Sequence, residues 1–136
     1  MWKKKKSGKR LTTAKIDTLI GPKAEVQGSL SFAGGLHVDG LVRGNVGARD
    51  GEGKGAFLTL SETGVIEGDV RVPNVVLSGR VVGDVVADDH VELKSTATVT
   101  GNVYYHLLEM SKGAEVNGEL IHLDEEEQSP IIAELD

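Results

Sequence analysis

Six times between residues 24 and 120 the chain writes one seven-residue unit, [Gly/Ala]-x-[Val/Ile]-x-Gly-x-[Val/Leu]. The copies run 24–30, 40–46, 64–70, 79–85, 97–103 and 114–120. Their key glycines, Gly28, Gly44, Gly68, Gly83, Gly101 and Gly118, are spaced 16, 24, 15, 18 and 17. A period near 17 means one structural unit per period, stacked on its neighbours. That is too short for a helical hairpin or a propeller blade. Within each unit apolar and small residues alternate, which is the strand period. Three short strands and three bends use up the period, and together they make one coil of a β-helix. Six coils at strand spacing form a rod about 29 Å long.

Glycine weakens a strand, so its regular place in every unit needs a reason. The inside of a narrow triangular coil is crowded near its corners. Glycine has no Cβ and reaches positive φ, so it fits a corner that must both turn and pack. The Gly/Ala column four residues earlier predicts a second tight place. Eight residues before each key glycine stands an apolar residue: Ile20, Leu36, Leu60, Val75, Leu93 and Met110. The spacing of 24 follows "GARDGEGKGAF" (47–57), and looping out about eight residues there restores 16. Six unrelated hairpins sharing turn glycines would not hold three apolar columns in register.

Charge divides the chain into three parts. Residues 1–15 carry Lys3, Lys4, Lys5, Lys6, Lys9, Arg10 and Lys15 and no acid, which is +7 against a net charge of −6. The remainder is therefore −13, and six of its acids lie in "LDEEEQSPIIAELD" (123–136). The expected organisation is a basic arm (1–15), a β-helix (16–122) and an acidic tail (123–136). Both ends have the composition of disordered segments. The 4% aromatic content suits a narrow coil, and the absence of cysteine excludes disulfides and Cys-based metal sites. No apolar run approaches the 18 or more residues of a spanning helix, and no apolar region behind the basic start makes it a signal peptide.

The opening "TLIGPKAEVQGSLSFAGGLHVDGLVRGNV" (18–46) resembles the bactofilins, small bacterial cytoskeletal proteins. An "LIG" start, a "V-x-G-x-L" coil, a "GGL-x-V-D-G" coil and a "G-x-V" exit follow in that family's order. The likeness covers roughly residues 18–122. It implies an all-β, right-handed parallel β-helix of about six triangular coils that polymerises end to end without nucleotide. It further implies a membrane-binding N-terminal arm and a scaffolding role in cell shape or envelope growth, on the cytoplasmic side. The family pattern puts a phenylalanine two residues before the last key glycine; here that place is Val116. The loop near residues 47–55 is longer than the family's.

Chemistry is sparse. His37, His90, His106 and His122 fall in different repeat columns. "ADDH" (87–90) offers metal ligands, but a polar turn explains it as well, and no metal or cofactor is expected. A hexapeptide-repeat acyltransferase would use a histidine such as His37, yet no hexad persists. "GARDGEGKGAF" lacks the spacing of a phosphate loop. The polar column after each key glycine is Ser29, Asn45, Asp69, Asp84, Asn102 and Glu119. It could form a ladder along a corner, but residues tolerant of bends read more simply as exposed turns.

Two function classes follow: a self-assembling scaffold, or a monomeric β-helix enzyme or carrier with folded-over caps. "AKIDTLIG" (14–21) and "LIHLDEEE" (120–127) are too short to cap a coil convincingly, which favours the scaffold. The expected polymer interface is Ile20, Val26, Leu30 and Phe32 at one end and Leu108, Met110, Val116, Leu120 and Ile121 at the other. Trp2 with Lys3, Lys4, Lys5 and Lys6 is the expected membrane contact. Tryptophan prefers the headgroup level, and each cation near an anionic surface contributes about 1 kcal/mol. Nucleic acid is the rival partner, disfavoured by Trp2 and by the −13 remainder. Ile131, Ile132 and Leu135 in the acidic tail are the expected contact for protein partners of the cell envelope.

Overall fold

Each repeat closes one turn of a parallel solenoid. The computed structural model describes residues 16–49 and 55–124, and within them six coils stack. The first face is built from Thr18–Ile20 (β1), Gly35–Val38 (β4), Phe57–Leu60 (β7), Asn74–Leu77 (β10) and the later halves of Val85–Leu93 (β12) and Val103–Met110 (β14). The second face is Glu25–Gln27 (β2), Leu41–Arg43 (β5), Val65–Glu67 (β8), Arg80–Val82 (β11), Thr98–Thr100 (β13) and Glu115–Asn117 (β15). The third is Leu30–Phe32 (β3), Val46–Ala48 (β6), Val70–Arg71 (β9), the first halves of β12 and β14, and Leu120–His122 (β16). Every pairing is parallel and joins one coil to the next. The described residues contain strands and turns and no helix.

Alternation decides what the coils enclose. On the second face Val26, Val42, Ile66, Val81, Val99 and Val116 share one inward column. On the third, Leu30, Val46, Val70, Val85, Val103 and Leu120 share another. The first face contributes two columns: Thr18, Leu36, Leu58, Val75, Val91 and Leu108, and Ile20, Val38, Leu60, Leu77, Leu93 and Met110. In the four middle coils these positions are sealed from solvent. Fully burying each such side chain stabilises the rod by about 1.5–3 kcal/mol. Among the described residues no polar or charged residue is buried.

The corners explain the uneven spacing. Between the first and second faces, coils one, three, five and six use four residues, 21–24, 61–64, 94–97 and 111–114. Each is a turn closed by a backbone bond, such as the Gly64 N–H to the Ser61 carbonyl at 2.9 Å. Coils two and four cross the same corner in two residues, 39–40 and 78–79. The apolar residue expected eight places before each glycine therefore splits between two columns. Leu36 and Val75 belong with Leu58, not with Leu60, because their coils lack two corner residues. The loop is likewise shorter at its ends than its composition suggests: Gly47 and Ala48 lie in β6, Ala56 is buried and Phe57 opens β7.

The two glycine columns mark the two tight corners. A Cβ on Gly40 or Gly79 would press into the carbonyl oxygens of the wide corner beneath, Gly21 and Ala24 or Ser61 and Gly64. A Cβ on Gly44, Gly68, Gly83, Gly101 or Gly118 would enter the carbonyl of the key glycine one coil earlier. Gly28 alone in that column meets nothing within 4 Å, because among the described residues no coil precedes it.

Candidate functional site

The polar column beside the key glycines is a ladder, and at Asn45, Asp69 and Glu119 it is also exposed. The Asn45 Oδ1 accepts the Asp69 N–H at 2.9 Å, and the Asp69 Oδ1 accepts the Asp84 N–H at 3.0 Å. The Asp84 Oδ1 accepts the Asn102 N–H at 2.9 Å, and the Asn102 Oδ1 accepts the Glu119 N–H at 3.0 Å. Each side chain thus satisfies a backbone donor one coil ahead that the strand pairing leaves over. A short side chain carrying an acceptor is required, and Asn and Asp meet that need equally. The two signals, bend tolerance and ladder, select the same residues, so composition could not separate them.

The ends of the rod are built unlike its middle. Among the described residues the strands of coil one pair only with coil two, and those of coil six only with coil five. Each end therefore keeps one open row of backbone donors and acceptors. The inward columns also lose their cover there. Val26, Leu30, Leu108 and Val116 are half-buried, whereas their equivalents inside the rod are sealed. Met110 is 44% exposed and Leu120 is 42% exposed although both occupy inward positions. Ile121 points outward from the third face and is half-buried. Ile20 and Phe32 are at the N-terminal end in sequence but buried in the core. Thr18 puts a hydroxyl in the first inward position of coil one.

At the C-terminal end a histidine group was not foreseen as one unit. His122 follows Phe32, Ala48, Ala87 and Tyr105 in the last column of the third face. Its ring meets Tyr105 edge-on at 5.5 Å and stacks on His106 at 5.9 Å. The His106 Nδ1 lies 3.3 Å from the Leu123 carbonyl oxygen. Their separation in sequence hid the pair, since 106 and 122 meet only through the coil register.

The other titratable groups are dispersed. The His37 Nε2 lies 2.9 Å from the Asp39 Oδ1 on the outer surface. A hydrogen bond from Ser61 holds the Asp39 carboxyl below the usual range; partial burial opposes this, and the His37 contact reinforces it. His90 approaches Glu109 at 3.7 Å, and Lys94 approaches Glu92 at 3.1 Å. Asp88, at the corner inside β12, has its carboxyl pushed up by burial, with the Arg71 charge pulling it down and the Asp89 charge pushing it up. Among the described residues no three His, Cys, Asp or Glu side chains gather around a metal-sized point. Trp2, Lys3, Lys4, Lys5, Lys6, Ile131, Ile132 and Leu135 lie outside the described residues.

Comparison with known proteins matches this architecture to one group. The family model described as "Bactofilin: Polymer-forming cytoskeletal" matches residues 18–121, the six coils together. The chain is 32% identical over 109 residues to Bactofilin BacO of Myxococcus xanthus (strain DK1622), covering 80% of this chain and 82% of that protein. It is 31% identical over 108 residues to Bactofilin BacP of the same organism, covering 75% of this chain and 40% of that longer protein. No solved structure matches. With six stacked coils, a match across the whole solenoid and curated relatives of the same kind, this chain belongs to the bactofilin family of polymer-forming cytoskeletal proteins.

Proposed function

We propose that this chain assembles end to end through coils one and six into filaments that need neither nucleotide nor metal. In this reading the basic arm holds the filaments to the anionic inner face of the cytoplasmic membrane, where they organise proteins of the cell envelope. The observation that carries the proposal is the unfinished state of the two ends. Val26 and Val116 are half-covered while Val42, Ile66, Val81 and Val99 of the same column are fully covered. Another copy would cover them and satisfy the open strand rows. Each square ångström of apolar surface so covered contributes about 25 cal/mol.

The joint is tested by Val116→Arg. The change leaves the middle coils untouched and buries an unpaired charge at the contact, which costs several kcal/mol, on the order of 3–5. Sedimentation and negative-stain microscopy should show large polymers for the parent and short species for the variant. Filaments of parental length from the variant would move the joint elsewhere. Dialysis against chelator, without nucleotide, should leave the parent's filaments intact. The arm is tested by co-pelleting with anionic vesicles, using Trp2→Ala and a variant with Lys3, Lys4, Lys5 and Lys6 changed to Glu. Six cations supply at most about 6 kcal/mol before screening, so one arm is a weak anchor and a row of arms a strong one. Both changes should therefore reduce pelleting. Pelleting indifferent to both would refute the membrane reading.

A further inference from the structure

The third face carries a groove of about 560 Å³ that no part of the scaffold role uses. Its floor is the outward column of that face. Ser31 and Gly47 leave a depression, Arg71 bounds it, and half-buried Tyr104 continues it over Val86, which is only 8% exposed. One rim is the ladder, with Asn45, Asp69 and Asp84. Arg71 and Asp88 act on each other electrostatically, which offsets the one cation of the groove. Asp69 and Asp84 put two carboxyl groups on that rim, each accepting one backbone N–H through its Oδ1.

We propose that the N-terminal arm of the same chain docks in this groove, with its cations on the Asp69–Asp84 rim and Trp2 on Tyr104. Three observations choose this occupant. The first is where the chain enters the rod. The Asp17 N–H bonds the Gly35 carbonyl at 2.9 Å, so residue 16 starts at the corner where the third face gives way to the first, at the edge of that face opposite the ladder rim. The second is length. Trp2 is 14 residues before Ile16, a reach of up to about 46–50 Å, and Tyr104 stands four coils above coil one, about 19 Å away. Arg10 and Lys9 need only the next six or seven residues to reach Asp69 and Asp84, two and three coils up. The third is charge: the arm carries +7 and no acid, whereas the C-terminal tail is acidic and would meet the carboxylate rim as a like charge.

A docked arm cannot lie on a lipid surface. The groove therefore competes with the membrane for the same tryptophan and lysines, and this consequence rests on the membrane reading above. Anionic lipid, with many more charges per arm than two aspartates, wins at the membrane and releases the arm there. In solution the groove keeps the sticky end covered.

Trp2 is the chain's single tryptophan, so its fluorescence reports the arm alone. The experiment uses the full-length chain at low salt, both as the parent and with Val116→Arg to exclude shielding within filaments. Trp2 should be blue-shifted and protected from iodide and acrylamide. Asp69→Asn with Asp84→Asn should remove that protection and keep the fold, because Asn already serves in the ladder at positions 45 and 102. Gly47→Arg, which fills the depression and adds a repelling cation, should do the same, as should 0.5 M salt. The double Asn variant should bind vesicles of anionic phospholipid roughly threefold to tenfold more tightly, the effect of losing two exposed ion pairs that compete. Circular dichroism checks that each variant folds. Free quencher access to Trp2 in the parent, or protection that both groove variants leave unchanged, would overturn the docking. Protection with no vesicle binding by any variant would keep the docking and sink the membrane reading instead.

Discussion

Gly83→Ala and Gly28→Ala make a controlled pair. Both glycines sit in the same column and in left-handed conformation, at φ 149° and 119°. An L side chain there costs about 1–3 kcal/mol in strain. The two differ in what lies beneath. A Cβ on Gly83 would stand 2.6 Å from the Gly68 carbonyl carbon and nearer still to its oxygen, with the Asp69 Oδ1 at 3.1 Å. Those atoms belong to the backbone and to the ladder, so nothing flexible can yield. Relief requires coils three and four to part at this corner, which adds an overpacking cost of about 1–3 kcal/mol. A Cβ on Gly28 meets nothing within 4 Å. Gly83→Ala should thus cost about 2–6 kcal/mol and Gly28→Ala about 1–3. Thermal and urea unfolding should be compared in the Val116→Arg background so that assembly does not contribute. One kcal/mol moves the midpoint of a domain this size by about 3–5 °C, so the difference is easily read. In the parental background Gly28→Ala should also shorten filaments, since its methyl projects where a neighbouring copy would seat. Equal destabilisation by the two changes would refute the claim that the stacked carbonyl, and not the turn alone, fixes glycine in this column.

Asp84→Ala should cost about 1–2 kcal/mol by orphaning the Asn102 N–H, while Asp84→Asn should be nearly neutral; urea midpoints decide between them. Asp88→Asn should hold or raise stability at neutral pH. Burial lifts the folded-state carboxyl above its unfolded value, so ionisation opposes folding, and this penalty fades as pH falls through the folded-state pKa. Urea midpoints across pH 4 to 8, about the span of interest, should lose that acid-side gain in the variant. Deleting residues 124–136 should leave filaments intact, because Leu123, which is buried in the rod, is kept; microscopy showing loss of assembly would place the tail in the joint.

The columns were readable in the sequence because burial on a coil demands the same apolar type at every turn. The length of the first corner was not, because Gly40 and Ala24 look alike as small residues while one crosses in two residues and the other in four. That difference moved Leu36 and Val75 into a neighbouring column. The ladder was visible as a column but not as hydrogen bonds, since its donors are backbone groups with no signature of their own. The end positions Val26, Leu108, Met110, Val116 and Leu120 were nameable from repeat order alone. Ile20 and Phe32 stand in the same end coil by that order, yet they are buried, which order in the sequence does not reveal. Tyr105 and His122 follow Phe32, Ala48 and Ala87 in a column whose residues differ too much in size and type to repeat visibly, so no pattern announced them.

The pairing of each coil with its immediate neighbours alone makes the rod a ruler with a fixed graduation. Gly68 to Gly83 is one whole circuit of the chain; each glycine faces the carbonyl of the key glycine one coil below, and each is followed by an Asp. A circuit can therefore be removed or duplicated at that point with the cut ends already matched in direction, register and side chain. Wide corners follow one another in coils five and six, so the alternation seen in coils one to four imposes no parity on the count. Length along the axis is then inherited in steps of about 4.8 Å. Tandem duplication and loss of some 15–18 residues is enough to reset the subunit spacing of any filament built from it.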